Sequence, residues 1–134
     1  DYYGVHEKHG SLGDFVHLME HARALGLRVI VDLVVSHTSI DHPWFQEARA
    51  SRDSPKREWY VWADQRPADH KDGIVFPGVQ KTNWTWDRVA GQYYFHRFYR
   101  HQADLNTWHP YVRAEIKKIM GFWLELGVSG FRVD

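Results

Sequence analysis

The chain has 134 residues, 17 basic and 17 acidic side chains, and no cysteine. Its zero formal net charge argues against a generic nucleic-acid or anionic-membrane surface, because both favour an excess of basic residues. The lack of cysteine excludes disulfide bridges and thiolate metal sites, and no apolar run approaches the roughly 20 residues that span a bilayer.

The first predicted element is a helix from Ser11 to Leu25. Its apolar side chains recur at helical spacing, and Ser11 followed by Asp14 has the form of a capping box. Gly26 suits the C′ position that ends a helix. The continuous apolar run that follows predicts a strand over Leu27–Val35, buried on both faces as in the parallel sheets of α/β proteins.

A second helix is predicted over Pro110–Leu126 and a second strand over Val128–Asp134, so the order helix, glycine, strand occurs twice. This repetition favours consecutive units of an α/β fold. About 75 residues separate the first strand from the second helix, which is too long for an ordinary connection and indicates an inserted subdomain. Within it, Asn83–Trp86 and Gln92–Phe98 form a predicted hairpin, and Trp59–Trp62 is either a short strand or a helix end.

The insert is rich in aromatic residues. Of the 21 aromatic side chains in the chain, 14 lie between Thr38 and His109. Tryptophan rings stack on flat apolar ligand faces, including those of sugars, and they also pack in small cores. Both interpretations stay open from the sequence alone.

Two clusters of polar residues lie where the predicted strands end, which is where parallel α/β folds place functional groups. The first consists of Asp32, Ser36 and His37, and the second of Arg132 and Asp134. Arg132 and Asp134 share a face of their strand, so the cation is expected to keep the carboxylate ionised, as a glycosidase nucleophile requires. The alternatives are a structural Arg–Asp pair and a His37 that caps or packs in the core.

Other catalytic signatures are missing. His17 and His21 lie one turn apart on the first helix, but without the glutamate and third ligand of a zinc protease, so we interpret them as part of a solvent-facing surface. The chain contains no nucleophile elbow and no phosphate-binding glycine loop.

Three motifs together resemble the α-amylase superfamily of retaining α-glycoside enzymes, in its oligo-1,6-glucosidase-like branch. Asp32–His37 (DLVVSH) resembles the family's D-x-V-x-N-H region, and Gly130–Asp134 (GFRVD) resembles its G-F-R-x-D region. Gln102–Asn106 (QADLN) is similar to the Q-P-D-L-N signature of that branch. The insert also lies where this family inserts its B domain.

The resemblance implies the fold class: α/β, part of a (β/α)8 TIM barrel that comprises helix 2, strand 3, helix 3 and strand 4, with an inserted B subdomain. Residues 1–37 and 107–134 would belong to the barrel, and residues 38–106 would form the B subdomain. The general acid/base Glu and a third catalytic Asp of the family would follow Asp134. We therefore expect a fragment that is inactive alone.

Two further stretches, Phe76–Thr82 (FPGVQKT) and Ala90–Tyr99, favour the trehalose synthase group of that branch, which isomerises maltose to trehalose through a covalent glucosyl-enzyme. Hydrolysis of maltose-type sugars by an α-glucosidase or oligo-1,6-glucosidase is the alternative. A non-catalytic member of the superfamily is the third reading. In the isomerase, aromatic residues of the insert would form a lid that excludes water; these residues are Phe76, Trp84, Trp86 and Tyr94.

The family's functional residues can be assigned to four positions here. The resemblance implies that Asp134 is the nucleophile and that Arg132 pairs with it. It also implies that His37 donates hydrogen bonds to the bound glucose, and that Asp32 organises the floor of the pocket.

The resemblance implies no cofactor for the chemistry. It does imply a structural Ca²⁺ bound by Asp104 and by position 36, where Ser36 stands in place of the usual Asn. The expected partners are small disaccharides, maltose and trehalose, with no nucleic acid and no membrane, in a cytoplasmic bacterial enzyme. Whether the full-length protein forms a homo-oligomer is left open.

Overall fold

A computed structural model describes all 134 residues. The chain divides into two compact units. The first unit comprises Asp1–Val34 and Arg113–Asp134, and the second comprises Val35–Val112. The insert predicted over residues 38–106 lies within the second unit.

The first helix, α1 (Leu12–Ala24), forms as predicted because both of its ends are capped. The Ser11 Oγ accepts the Asp14 N–H at 3.2 Å, and the Asp14 carboxylate accepts the Ser11 N–H at 2.8 Å. This reciprocal pair is a capping box. At the other end Gly26 has a φ of +71°, a left-handed conformation that glycine adopts without steric cost.

The two predicted strands pair in parallel, as β1 (Ile30–Leu33) and β7 (Gly130–Val133). Both are shorter than predicted, and the expectation that the first strand is buried on both faces is wrong. Ile30 is 62% exposed, and Asp32 is exposed as well. The reason is that this sheet has only two strands, so each has a free edge and faces that are only partly covered.

The long helix α3 (Pro110–Glu125) confirms the helix predicted over Pro110–Leu126. Two hydrogen bonds hold the residues before α1 against α3. The Tyr3 hydroxyl donates to Glu115 at 2.6 Å, and the Trp123 indole donates to the Tyr2 carbonyl at 2.7 Å. Beyond the helix, Gly127 has a φ of +110°, and a Cβ there would lie 3.1 Å from the Met19 Cβ. A side chain at this position would therefore be strained and crowded. No helix has the length and apolarity of a membrane span.

The second unit contains a helix, a three-stranded sheet and a separate strand pair. Helix α2 spans Pro43–Ala50. The predicted hairpin is confirmed as β4 (Trp84–Asp87) and β5 (Gln92–Phe95), and β3 (Trp62–Ala63) extends it to an antiparallel sheet in the order β3–β5–β4. Both predictions for Trp59–Trp62, a short strand and a helix end, are confirmed. A 3₁₀ turn ends at Trp59, and β3 begins at Trp62. The other two strands are β2 (His37–Ser39) and β6 (Gln102–Asp104); β2 pairs with β6.

The core of the second unit is aromatic. Phe45, 1% exposed, has ring centroids of Tyr60, Trp62 and Tyr94 within 5.1–5.5 Å. Edge-to-face and offset contacts at such distances stabilise aromatic cores beyond the area they bury. Much of the aromatic content of the insert is therefore explained by packing.

Candidate active site

Three of the predicted site residues lie on one face of the β1–β7 pair. The register places Asp32 beside Arg132, and the Arg132 guanidinium donates to the Asp32 carboxylate at 2.6 Å. The sequence predicts that Arg132 pairs with Asp134, but in the structure its partner is Asp32. Lateral neighbours in a sheet are about 4.8 Å apart, whereas residues two apart along a strand are separated by about 6.6 Å.

Asp134 follows the last residue of β7 and extends the ladder. Its backbone N–H donates to the Leu33 carbonyl at 3.2 Å, and its side chain is exposed. Alternation along the strand gives Asp134 the same face as Arg132. The carboxylate therefore stands at the carboxyl end of the strand pair, one step beyond the Asp32–Arg132 ion pair.

In the second unit, His37 is held by hydrogen bonds at both ring nitrogens. The Ser36 Oγ lies 2.9 Å from its Nδ1, and the Gln102 Nε2 lies 3.1 Å from its Nε2. The Gln102 Oε1 accepts the Tyr99 N–H at 3.2 Å, which orients the amide so that its NH₂ group faces the imidazole. This orientation fits the tautomer of a neutral imidazole in which Nε2 accepts from Gln102 and Nδ1 donates to Ser36.

A row of rings joins His37 to the loop of the FPGVQKT stretch. Phe98 lies edge-on to the imidazole at 5.5 Å, and Phe76 stacks on Tyr99 at 4.7 Å; Phe76 and Phe98 are 6.2 Å apart. The four residues predicted to form a lid do not lie together. Phe76 belongs to this row, whereas Tyr94 is 5% exposed and packs in the core.

The sequence singled out His37 but missed its neighbours Gln102 and Phe98. Gln102 begins the QADLN motif, so the motif contained the signal. The motif alone did not indicate that β2 pairs with β6. This antiparallel pairing places Ser39 beside Gln102 and His37 beside Asp104.

The residues predicted to bind Ca²⁺ do not by themselves fit that ion. Asp104 accepts the Arg97 N–H at 2.8 Å, and the Ser36 hydroxyl is engaged with His37. Ca²⁺ takes about six to eight oxygen ligands, and the structure contains no group of three or more acidic or histidine side chains placed to share a metal. The calcium site stays a prediction, and no step of the chemistry is derived from it.

Asp104 makes the stability of the protein depend on pH. Burial raises the pKa of its carboxyl from 3.8 to about 6. Because the folded state then binds the proton more tightly than the unfolded state, this group lowers stability as the pH rises through that window. Asp104→Asn in the whole protein should therefore gain melting temperature relative to the parent between about pH 4 and pH 7.

The measurement is the difference in melting temperature between variant and parent across the window, with a chelator present. Asp69→Asn, which removes an exposed carboxylate of the same unit, is the matched control. A difference for Asp104→Asn that does not change with pH would contradict the assignment of a raised pKa.

Residues 1–134 match the alpha-amylase family over its catalytic domain. The trehalose synthase of Thermus thermophilus is 50% identical, with 100% of this chain and 14% of that protein covered. The oligo-1,6-glucosidase of Parageobacillus thermoglucosidasius is 39% identical, with 100% of this chain and 24% of that protein covered. The crystal structure of the trehalose-6-phosphate hydrolase of Bacillus licheniformis superposes with a TM-score of 0.90 at 40% identity, over 100% of this chain and 24% of that chain.

The chain belongs to the alpha-amylase family. The predicted fold class is confirmed: the chain is part of the TIM barrel of this family. It spans about a quarter or less of the length of the relatives it matches, so the remaining strands of the barrel lie outside it.

Proposed function

We propose that this chain is part of a retaining enzyme that interconverts maltose and trehalose through a covalent glucosyl-enzyme. The observation that carries the proposal is the face shared by Asp32, Arg132 and Asp134 on two adjacent parallel strands. The 50% identity to a trehalose synthase over the whole chain also supports the proposal.

In the proposed reaction, the Asp134 carboxylate attacks the anomeric carbon of the non-reducing glucose of maltose. The bond from that carbon to the glycosidic oxygen breaks, and a carboxylic acid outside this chain donates a proton to the departing glucose. Retaining chemistry needs these two carboxyl groups about 5 Å apart. The released glucose then turns, and its anomeric hydroxyl attacks the same carbon while its proton returns to the external carboxylate. The ester bond to Asp134 breaks, which gives trehalose and frees Asp134.

Arg132 orients the nucleophile in this scheme. Its guanidinium is bonded to Asp32 at 2.6 Å and lies on the face of the strand pair from which Asp134 projects. His37 is assigned to binding of the glucose. The Gln102 amide nitrogen lies 3.1 Å from its Nε2, so that nitrogen can donate to a sugar only after this contact breaks and a proton is placed on Nε2.

Hydrolysis is the second candidate, and the 39% identity to an oligo-1,6-glucosidase favours it. The covalent intermediate is the same, but water attacks it in place of glucose. The choice depends on how well the closed pocket excludes water. In either case we propose disaccharides as substrates and the cytoplasm as location.

The test is the product formed from maltose by the whole protein that contains this chain. Trehalose as the main product is expected, with glucose as a minor one, because the released glucose is retained. Glucose alone would establish the hydrolase and contradict the isomerase. The 134-residue chain alone is expected to form neither product, since it supplies only one of the two carboxyl groups.

A further inference from the structure

The sheet β3–β5–β4 has two faces of different character. Alternation places Thr85, Asp87 and Tyr94 on the face that packs on the core, where Asp87 and Tyr94 are 3% and 5% exposed. The opposite face carries four aromatic rings, two from each strand of the hairpin. The cross-strand pairs are Trp84 with Phe95 and Trp86 with Tyr93, and their ring centroids are 5.3 and 5.1 Å apart.

An open groove lies at the end of this aromatic face. Its volume is about 580 Å³, and it is lined by Trp86, Tyr93, Asp64, Gln65 and Arg66. Trp86 is 47% exposed, so part of its ring is free to stack on a ligand. The Arg66 guanidinium lies 5.6 Å from the Tyr93 centroid, which holds a donor group at the wall of the groove.

The polar side chains of the groove form a mixed and nearly neutral set. The Asp64 Oδ1 accepts from Gln92 and from Arg52, each at 2.9 Å, and these bonds hold the pKa of the carboxyl below its usual value. The ionised group keeps its second oxygen for another donor, while Arg66 forms no ion pair with an acidic side chain. One acceptor, one amide and one donor suit a ligand that carries hydroxyl groups.

We propose that this groove is a second carbohydrate-binding site, formed by residues other than those assigned to catalysis, which takes a glucose-based oligosaccharide. The apolar face of one pyranose ring stacks on Trp86, and its hydroxyl groups bond to Asp64, Gln65 and Arg66. An apolar protein segment is disfavoured because it would remove water from three polar side chains without replacing their hydrogen bonds.

The test is calorimetric titration of maltoheptaose into the whole protein while deoxynojirimycin saturates the catalytic pocket. The parent protein is expected to bind with a Kd of about 1 mM or tighter. Trp86→Ala should weaken this binding at least about tenfold, because it removes the stacking ring. Trp86→Phe, which keeps a flat ring, should restore most of it. Because binding is measured, the result does not depend on which reaction the protein catalyses.

Val89→Ala is the matched control, since Val89 is an exposed apolar residue of the same hairpin, outside the groove. It should bind as the parent does. If Trp86→Ala does not fold, Arg66→Ala, which changes an exposed residue, should still weaken binding several-fold. Parent-like binding by Trp86→Ala, or by Arg66→Ala where the first variant fails, would overturn the proposal, as would the absence of binding by the parent.

Discussion

Asp134→Asn in the whole protein is expected to lower kcat for maltose by about four orders of magnitude or more. The amide cannot form the ester bond to the anomeric carbon that the proposed mechanism requires, while its similar size leaves the pocket intact. KM should therefore change little. The measurement is steady-state kinetics, combined with mass spectrometry of the parent after reaction with a fluorinated glucosyl inhibitor.

The control for this prediction is Asp53→Asn, which removes an exposed carboxylate from the second unit and should retain the activity of the parent. The labelled peptide from the trapped parent should contain Asp134. An Asp134→Asn variant with activity within about tenfold of the parent, or an adduct on another residue, would refute the assignment of the nucleophile.

The second large effect is expected from Arg57→Met, which should lower the free energy of unfolding by about 3 kcal/mol. Arg57 is 6% exposed and donates to the carbonyls of Ala48 and Ala90 at 2.9 and 3.0 Å and to the Gln92 side chain at 2.6 Å. It thus joins the end of α2 to the hairpin. Methionine fills similar space but leaves the buried Ala48 and Ala90 carbonyls, and the half-buried Gln92 amide oxygen, without this donor.

Chemical denaturation, with hydrogen exchange of the hairpin amides as the local readout, measures this effect. Arg52→Met is the control, because the Arg52–Asp64 pair is exposed, at 60% and 70% of the two side chains, and exposed pairs contribute less than about 1 kcal/mol. Arg57→Lys should recover only part of the loss, since an ammonium group lacks the planar fork. Equal effects of the Arg57→Met and Arg52→Met variants would contradict this role.

The elements set by local chemistry were predictable from the sequence. The capping box of Ser11 and Asp14 fixed the start of α1, and the hairpin followed from two apolar segments that flank Gly91. The burial of β1 was not predictable in the same way. The apolar run Leu27–Val35 indicates a strand that is covered on both faces, but what covers it is formed by other parts of a barrel, which the local pattern does not describe.

In the candidate site, too, the motifs located the residues but not the contacts between them. The motifs located Arg132 and Asp134 at the end of the second predicted strand, where β7 ends. His37, predicted just past the end of the first strand, instead begins β2 in the second unit. The partner of Arg132 and the hydrogen-bond partner of the His37 Nε2 depend on register, through Asp32 and Gln102. Register joins residues far apart in the chain, so spacing along one strand could not reveal these contacts.

The short ladder between β2 and β6 has a consequence for how this fold can vary. His37 and Asp104 are partners in it, so the two ends of the insert lie side by side. Loops of the insert that do not contact His37, such as the turn at Gly91, can lengthen or shorten without displacing the imidazole, and closing a longer loop costs only about 0.6 kcal/mol for each doubling of its length. The base of the insert thus separates loops whose length can vary from the residues that hold the histidine, which include Gln102 and Phe98.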